Sequence, residues 1–468
     1  MSTFTCADRA LFTGRLVLPD DGDFEEARVG RVFNARRPDR NPEAVLLAET
    51  EADVAAGVRL ARDRGVAVAV RSGGHSWAVW SVREGTLLIE LGLLREIDYD
   101  ERTGIVSASP AIQGGSELDP FLAEHGRFFN GGHCPTVGIG GFLLQGGQGW
   151  CSRGWGWAAE HIAAVDVVTA DGEIVRCDTT QNTDLYWAAR GAGPTFPGVV
   201  TRFHLRTRPR FEYVGHTVQI FKIEDYEDVM SWVYSMHAEV DEDVEIVCVS
   251  RTDELPGHPR QRTLLVSALA LVDTADRADE VLSPFRDNPH IGRALFVQDA
   301  AESSMAAQRE SQLRDNPEDH RYIVDNIWAV GPDAEQVDGL APLFTDLPND
   351  KSFTVWISMA PLRELPDMAF SLQSEAYTAT YMCFEDSNRD IEYRQWLNAQ
   401  LVRAQPITLG QYLGDSDMTN RQLRIKSDAN WSRLQEIVAE RDPEGTFVRY
   451  LAHDQSTLNV NHWQLSAN

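Results

Sequence analysis

The sequence predicts an α+β protein built in two parts, and three observations lead there. The chain has 468 residues, 43% of them hydrophobic, so it is too long for one small core and apolar enough to bury large ones. Between Glu43 and Val70 it reads strand, helix, strand, and glycine clusters recur from there to Gly198. Around Arg206–Arg210 ("RTRPR") the texture changes: over the next ~200 residues the glycine clusters vanish and apolar strands alternate with polar-faced helices. That pattern predicts an antiparallel sheet with helices on one face. The expected division is residues 1–208, residues 209–410, and a segment 411–468 that returns to the first part.

In chain order, "AVLLA" (Ala44–Ala48) is a short apolar strand. Thr50 then offers an N-cap hydroxyl with Asp53 three residues on, and Val54, Val58 and Ala61 form one stripe of a helix that Gly65 stops. Val66–Val70 is β-rich and delivers Arg71 into a glycine loop. "GTLLIEL", "REIDYDERTGIVSASP" and "AVDVVTADGEIVRC" read as strands and hairpins, with "DERTG" and "ADG" as turns. "SELDPFLAEHG" predicts one short helix ending at Gly126. In the second part "EDYEDVMSWVYSMHAEV" is helical, and "RTLLVSALALV" and "FTVWISMAPL" are strands. A last helix in "DANWSRLQEIVAERDPEGTF" puts Trp431, Leu434, Ile437 and Val438 on one side and stops at Asp442–Pro443.

The formal net charge is −28, which disfavours nucleic acid and anionic membranes as partners. Only Lys222, Lys351 and Lys426 are lysines among 43 basic residues; the arginine bias is expected of a GC-rich genome, and a bacterial source is expected. No basic stretch precedes an apolar run at the N-terminus, and no apolar run approaches the roughly 20 residues that span a bilayer, so the chain is expected to be cytoplasmic. Cys6, Cys134, Cys151, Cys177, Cys248 and Cys383 are scattered, with no C-x-x-C pair. No metal site is expected: His133 and Cys134 are adjacent, which suits shared ligation of one ion poorly.

Glycine allows main chain to approach a phosphate closely, and three places qualify. They are Gly73–Gly74 in "RSGGHSWAVWS", the set Gly138, Gly140, Gly141, Gly146, Gly147 and Gly149 in "NGGHCPTVGIGGFLLQGGQGW", and "RGAGPTFPGVVT" (Arg190–Thr201). None fits G-x-G-x-x-G, because Leu143 and Phe196 occupy the third position. Tight turns alone would also explain glycines, and a histidine or cysteine taken singly is more often structural.

Taken together, "RSGGHS", "GHCPTVGIGG…GGQGW", "RGAGPTFPGVVTRF", "GQYLGDSD" and the last helix resemble the berberine bridge enzyme-like flavoprotein oxidases of the vanillyl-alcohol-oxidase superfamily. The resemblance spans Glu43 to Phe447. It implies a two-lobed PCMH-type FAD-binding domain plus an α+β substrate domain. It implies FAD bound covalently, through an 8α bond to His75 and a C6 bond to Cys134, a neutral imidazole and a thiolate being suited to attack an electrophilic flavin. Arg71, Ser72, Gly73, Gly74, Ser76, Val137, Gly138, Gly140, Gly141, Gly146, Gly149, Gly198 and Val200 are then expected around the cofactor, with Gly73 and Gly74 close beneath its pyrophosphate. Val137, three after the cysteine, is where valine goes with oxidases and leucine with dehydrogenases.

The match departs in three places. Where relatives carry Y-x-N-Y the chain has Tyr412-Leu413-Gly414-Asp415, so the expected proton acceptor is Asp415, its pKa raised by partial burial, or Tyr412 itself. The loop before Val199 is altered to "TFPG". Asn459 and Asn461 of "NVNHW" are the expected counterpart of a C-terminal cofactor-closing segment. The implied function is an FAD-dependent oxidase acting on a small molecule (an alcohol, a sugar or a secondary-metabolite intermediate), with hydride passing to flavin N5 and O2 reduced to H2O2. Alternatives are a dehydrogenase using a quinone or carrier, and a non-catalytic flavin-carrying protein, favoured if Asp415 and Tyr412 lie away from the flavin site.

Overall fold

The computed structural model describes residues 3–418, 421 and 423–450. Asn459 and Asn461 lie outside the described residues. The first lobe holds a four-stranded sheet in the order Arg15–Val17, Ala44–Leu47, Leu87–Glu90, Val68–Arg71, the last three parallel. The helix Glu51–Asp63 starts where the sequence places it: Thr50 Oγ1 accepts from the Asp53 N–H, and the Asp53 carboxylate accepts in return from the Thr50 N–H. Val54, Val58 and Ala61 are buried against Leu46 and Ile89. The second lobe is an antiparallel sheet ordered Ile97–Asp100, Ile105–Ala108, Val199–Arg206, Ile162–Val168, Ile174–Cys177. Both hairpins expected from the turn residues are present.

One element differs from expectation. "SELDPFLAEHG" is not one helix but a wide π turn, Gly114–Leu118, followed by the α-helix Asp119–Glu124. Pro120 is tolerated only in the first turn of an α-helix, so the regular ladder restarts at Asp119.

Residues 213–410 contribute an eight-stranded antiparallel sheet, ordered Phe296–Glu302, Tyr213–Lys222, Gln261–Val272, Val244–Asp253, Phe353–Ser358, Ala376–Phe384, Arg321–Ala329, Thr408–Gly410. The helices Tyr226–Met236, Ala275–Leu282, Asp333–Thr345 and Asp390–Arg403 pack on one face, over Ile246, Cys248, Val266 and Trp356. Because successive side chains alternate between faces, the residues between these belong to the other face and become the wall of a cavity. After the sheet the chain returns: the helix Asp428–Arg441 buries Leu434, Ile437 and Val438 in the core of the second lobe, and Phe447 bridges to Val68. Among the described residues no helix is long and apolar enough to cross a membrane.

Candidate active site

A cavity of about 950 Å³ lies between the glycine loops and the face of the eight-stranded sheet opposite those four helices, with the helix Met305–Asp315 at its edge. Arg71, Ser72, Gly73, Gly74, His75, Ser76, Cys134, Val137, Gly138, Gly140, Gly141, Gly198, Val200, Tyr412 and Asp415 all line it. Gly146 and Gly149 do not. A side chain at Gly146 would meet the Phe370 ring, and one at Gly149 the Asn130 carbonyl, so these two glycines serve packing.

The glycines of the two motifs explain each other. A Cβ on Gly73 would sit 2.6 Å from the Gly138 nitrogen, and one on Gly138 would sit 2.7 Å from the Gly73 Cα. Gly74 has φ +75° and abuts the Arg31 carbonyl. Gly73 and Gly74, expected beneath a pyrophosphate, line the cavity and also bring protein backbone against protein backbone. Gly141 is different: a Cβ there would meet nothing within 4 Å, so this face of the loop is open.

That backbone contact sets His75 beside Cys134. Thr136 Oγ1 lies 3.1 Å from His75 Nε2 and 3.6 Å from Cys134 Sγ, so one hydroxyl joins two residues 59 positions apart. His75 stacks on Phe33 at 4.5 Å between centroids, and burial pushes its pKa down to about 4, leaving a neutral imidazole at physiological pH. Burial pushes the Cys134 thiol up, against the opposing pull of Thr136. That favours the thiol over the thiolate in the resting site. Arg71 reaches the cavity edge, but its guanidinium is committed to Glu90 and to the Ala27 and Arg28 carbonyls.

Asp415 and Tyr412 sit on a loop clamped by Asn326 of the strand Arg321–Ala329. The Asn326 amide donates to the Tyr412 and Asp415 carbonyls, both at 2.8 Å, and its oxygen accepts the Tyr412 N–H. Gly414 leaves room for the Tyr412 ring. The Asp415 carboxylate accepts from Trp77 Nε1 at 3.2 Å and from the Tyr377 hydroxyl at 2.8 Å. Tyr412 is employed otherwise: its hydroxyl oxygen accepts from the Gly147 and Gln148 amides, and burial raises its pKa. Of the two, only Asp415 is held by side-chain donors rather than by backbone amides.

The sequence reading missed several neighbours. His133 Nε2 lies 2.9 Å from Glu245 Oε1, and Glu245 also accepts the Cys151 N–H. Burial opposes charge on His133, but Glu245 more than offsets this and raises its pKa. Nothing in the sequence pairs His133 with a glutamate 112 residues on. Trp77, Tyr377 and Asn326 were equally silent, although a buried Asp-Asn pair inside the apolar run "RYIVDNIWAV" is a usable signal. Among the described residues no cluster of His, Cys, Asp or Glu could hold a metal ion.

The open glycine face, the neutral His75 beside Cys134 and a cavity of this size fit FAD. Residues 42–178 match the FAD binding domain family. The FAD-linked oxidoreductase janO of Penicillium janthinellum is 36% identical over 423 residues, 90% of this chain and 93% of its own. The FAD-linked oxidoreductase nodO of Hypoxylon pulicicidum is 35% identical over 427 residues, 91% and 94%. These relatives are fungal, which overturns the expectation of a bacterial protein; the arginine bias reports base composition, which fungi can share.

Three solved structures share the fold at low identity. They are 6-hydroxy-D-nicotine oxidase from Arthrobacter nicotinovorans (TM-score 0.80, 20% identity, 93% of this chain and 96% of that one), xylooligosaccharide oxidase from Myceliophthora thermophila C1 (0.78, 20%, 94% and 96%) and berberine bridge enzyme from Eschscholzia californica (0.78, 18%, 95% and 97%). Asp415 and Tyr412 line the same cavity as His75 and Cys134, and the relatives are oxidoreductases, so the reading as a non-catalytic carrier falls. The chain belongs to the family of FAD-linked oxidoreductases, and it shares its fold with berberine bridge enzyme.

Proposed function

We propose that the enzyme is an oxidase, with FAD attached at both His75 and Cys134, that oxidises a carbon bearing O–H or N–H in a small molecule. One observation carries the reading: the Asp415 carboxylate, held by the Trp77 and Tyr377 donors, lines the same cavity as the His75–Thr136–Cys134 cluster. Held by His75, Cys134 and the glycine loops, FAD would supply a two-electron hydride acceptor that O2, with two protons, would reoxidise to give H2O2.

The chain's own residues do the rest. Asp415 accepts the O–H or N–H proton as the C–H bond breaks and afterwards releases it to solvent. Trp77 and Tyr377 hold the carboxylate in place, and Asn326 fixes the loop that carries it. His75 is held through Nε2 at Thr136, which leaves Nδ1 for the cofactor bond. Val137 lines the cavity, and its short side chain leaves room that leucine would fill, which favours oxidase over dehydrogenase.

Attachment is tested by acid precipitation and mass. The wild-type precipitate stays yellow and is heavier than the apoprotein by one FAD. His75→Ala and Cys134→Ala each retain one bond, and only the double variant releases the flavin. Release from denatured wild type refutes both assignments.

A further inference from the structure

On the face of the eight-stranded sheet that meets the cavity, aliphatic side chains form continuous rows. Strand register aligns Ile220 with Leu265, Leu265 with Val249, and Val249 with Val355, one unbroken aliphatic row across four neighbouring strands. In the adjacent row Val247 pairs with Ile357. All six side chains line the same cavity as Asp415.

Two of the polar groups on this wall are already engaged, and Ser311 and Gln312 of the helix Met305–Asp315 add polar lining away from the aliphatic rows. His216 meets Ser267 Oγ at 2.9 Å and the Gln308 amide at 3.3 Å, and Glu245 is held by His133 and the Cys151 N–H. Charges at the mouth are matched within the chain: Arg251 with Asp253 and Asp315, Lys351 with Glu385, Arg314 with Glu310. A sugar laid on the aliphatic rows would bury hydroxyls with no partner, and an ionic substrate would compete with ion pairs already made. A hydrocarbon surface loses nothing there and gains burial.

We propose that the substrate is an alcohol or amine on an extended hydrocarbon body, seated on the Ile220–Leu265–Val249–Val355 row with its single polar group at Asp415. The placement of the reacting carbon rests on the oxidase reading above; the recognition of an apolar body does not.

The test titrates farnesol and, separately, xylobiose into the FAD-loaded enzyme under argon, reading the shape of the flavin spectrum for binding and its bleaching for reduction. Farnesol perturbs the spectrum saturably, and xylobiose does not at a concentration about 100-fold higher. Val249→Asn weakens farnesol binding by about tenfold or more, while the isosteric Val249→Thr, which keeps the fold, weakens it less. Thermal melts confirm that both variants are folded. Farnesol binding without bleaching supports the inference and counts against the oxidase reading. Tighter binding of xylobiose, binding of neither compound, or a folded Val249→Asn that binds farnesol as wild type does, overturns the inference.

Discussion

Replacing Asp415 by asparagine separates proton removal from everything else the site does. The side chain keeps its shape: Oδ1 can still accept from Trp77 Nε1, and the new amide can donate to the Tyr377 oxygen where the carboxylate accepted. Exchanging one hydrogen-bonded pair for another should change stability by no more than about 1 kcal/mol. What is lost is the proton acceptor, and general-base catalysis contributes roughly 10²–10⁴-fold, or about 3–5 kcal/mol of barrier. Anaerobic stopped-flow reduction by any substrate that bleaches the wild-type flavin should therefore slow by that factor, with the resting spectrum unchanged. Tyr412→Phe should behave in the opposite way. It removes the acceptor for the Gly147 and Gln148 amides and leaves two buried N–H groups unpaired, at about 1–3 kcal/mol each, so it should lower the melting temperature. A loss below tenfold in Asp415→Asn, together with a large loss in a thermally intact Tyr412→Phe, would refute the assignment of the base.

Val137→Leu should sharply lower the bimolecular rate of reduced flavin with O2; a wild type that ignores O2 but reduces a quinone dye quickly would make the enzyme a dehydrogenase. Attachment through the two residues should differ in pH dependence when apoprotein variants are loaded with FAD. Cys134, a thiol raised by burial, should react faster as pH rises from 6 to 9 in His75→Ala, whereas His75, neutral above about 4, should attach at a constant rate in Cys134→Ala. Equal pH slopes would contradict this. Gly138→Ala should destabilise by more than about 1 kcal/mol in chemical denaturation, because its Cβ meets Gly73 backbone that cannot rotate away. Lys426 is buried, donates to the Gly191 carbonyl, and burial pushes its pKa from 10.5 down to about 7. The unfolded chain holds the proton that the folded chain loses between these values, so its contribution to stability falls as pH drops from 10.5 to 7 and is level below. Lys426→Met should gain about 1–4 kcal/mol near pH 6, and the gain should vanish near pH 10.5; a pH-independent difference would show that the lysine is not the cause.

What could be read from the sequence was whatever the backbone determines locally. The Thr50–Asp53 capping box, the two hairpins and the buried stripe of Asp428–Arg441 each follow from residues within one turn or one strand pair, and each formed as expected. His75 and Cys134 were legible for a less local reason: their motifs carry Gly73 and Gly138, and those glycines are required because the two loops touch. A contact made by backbone leaves a mark in both sequences, since no other residue fits. Contacts made by side chains leave none. Glu245 could be any outward residue of a strand until His133 is placed beside it, and Asn326 differs from other buried polar residues only through the loop it clamps. Gly146 and Gly149 mislead for the same reason in reverse, because their spacing within the motif is that of cofactor glycines while their neighbours are Phe370 and Asn130. The loop that carries Tyr412 and Asp415 lies between these cases. Asp415 could be singled out because it replaces a residue of known position, but its superiority to Tyr412 depends on which oxygen is left free once the Gly147 and Gln148 amides are satisfied. That environment is set by a glycine loop more than 260 residues away, so adjacent candidates for a base can be indistinguishable locally even though the fold treats them differently.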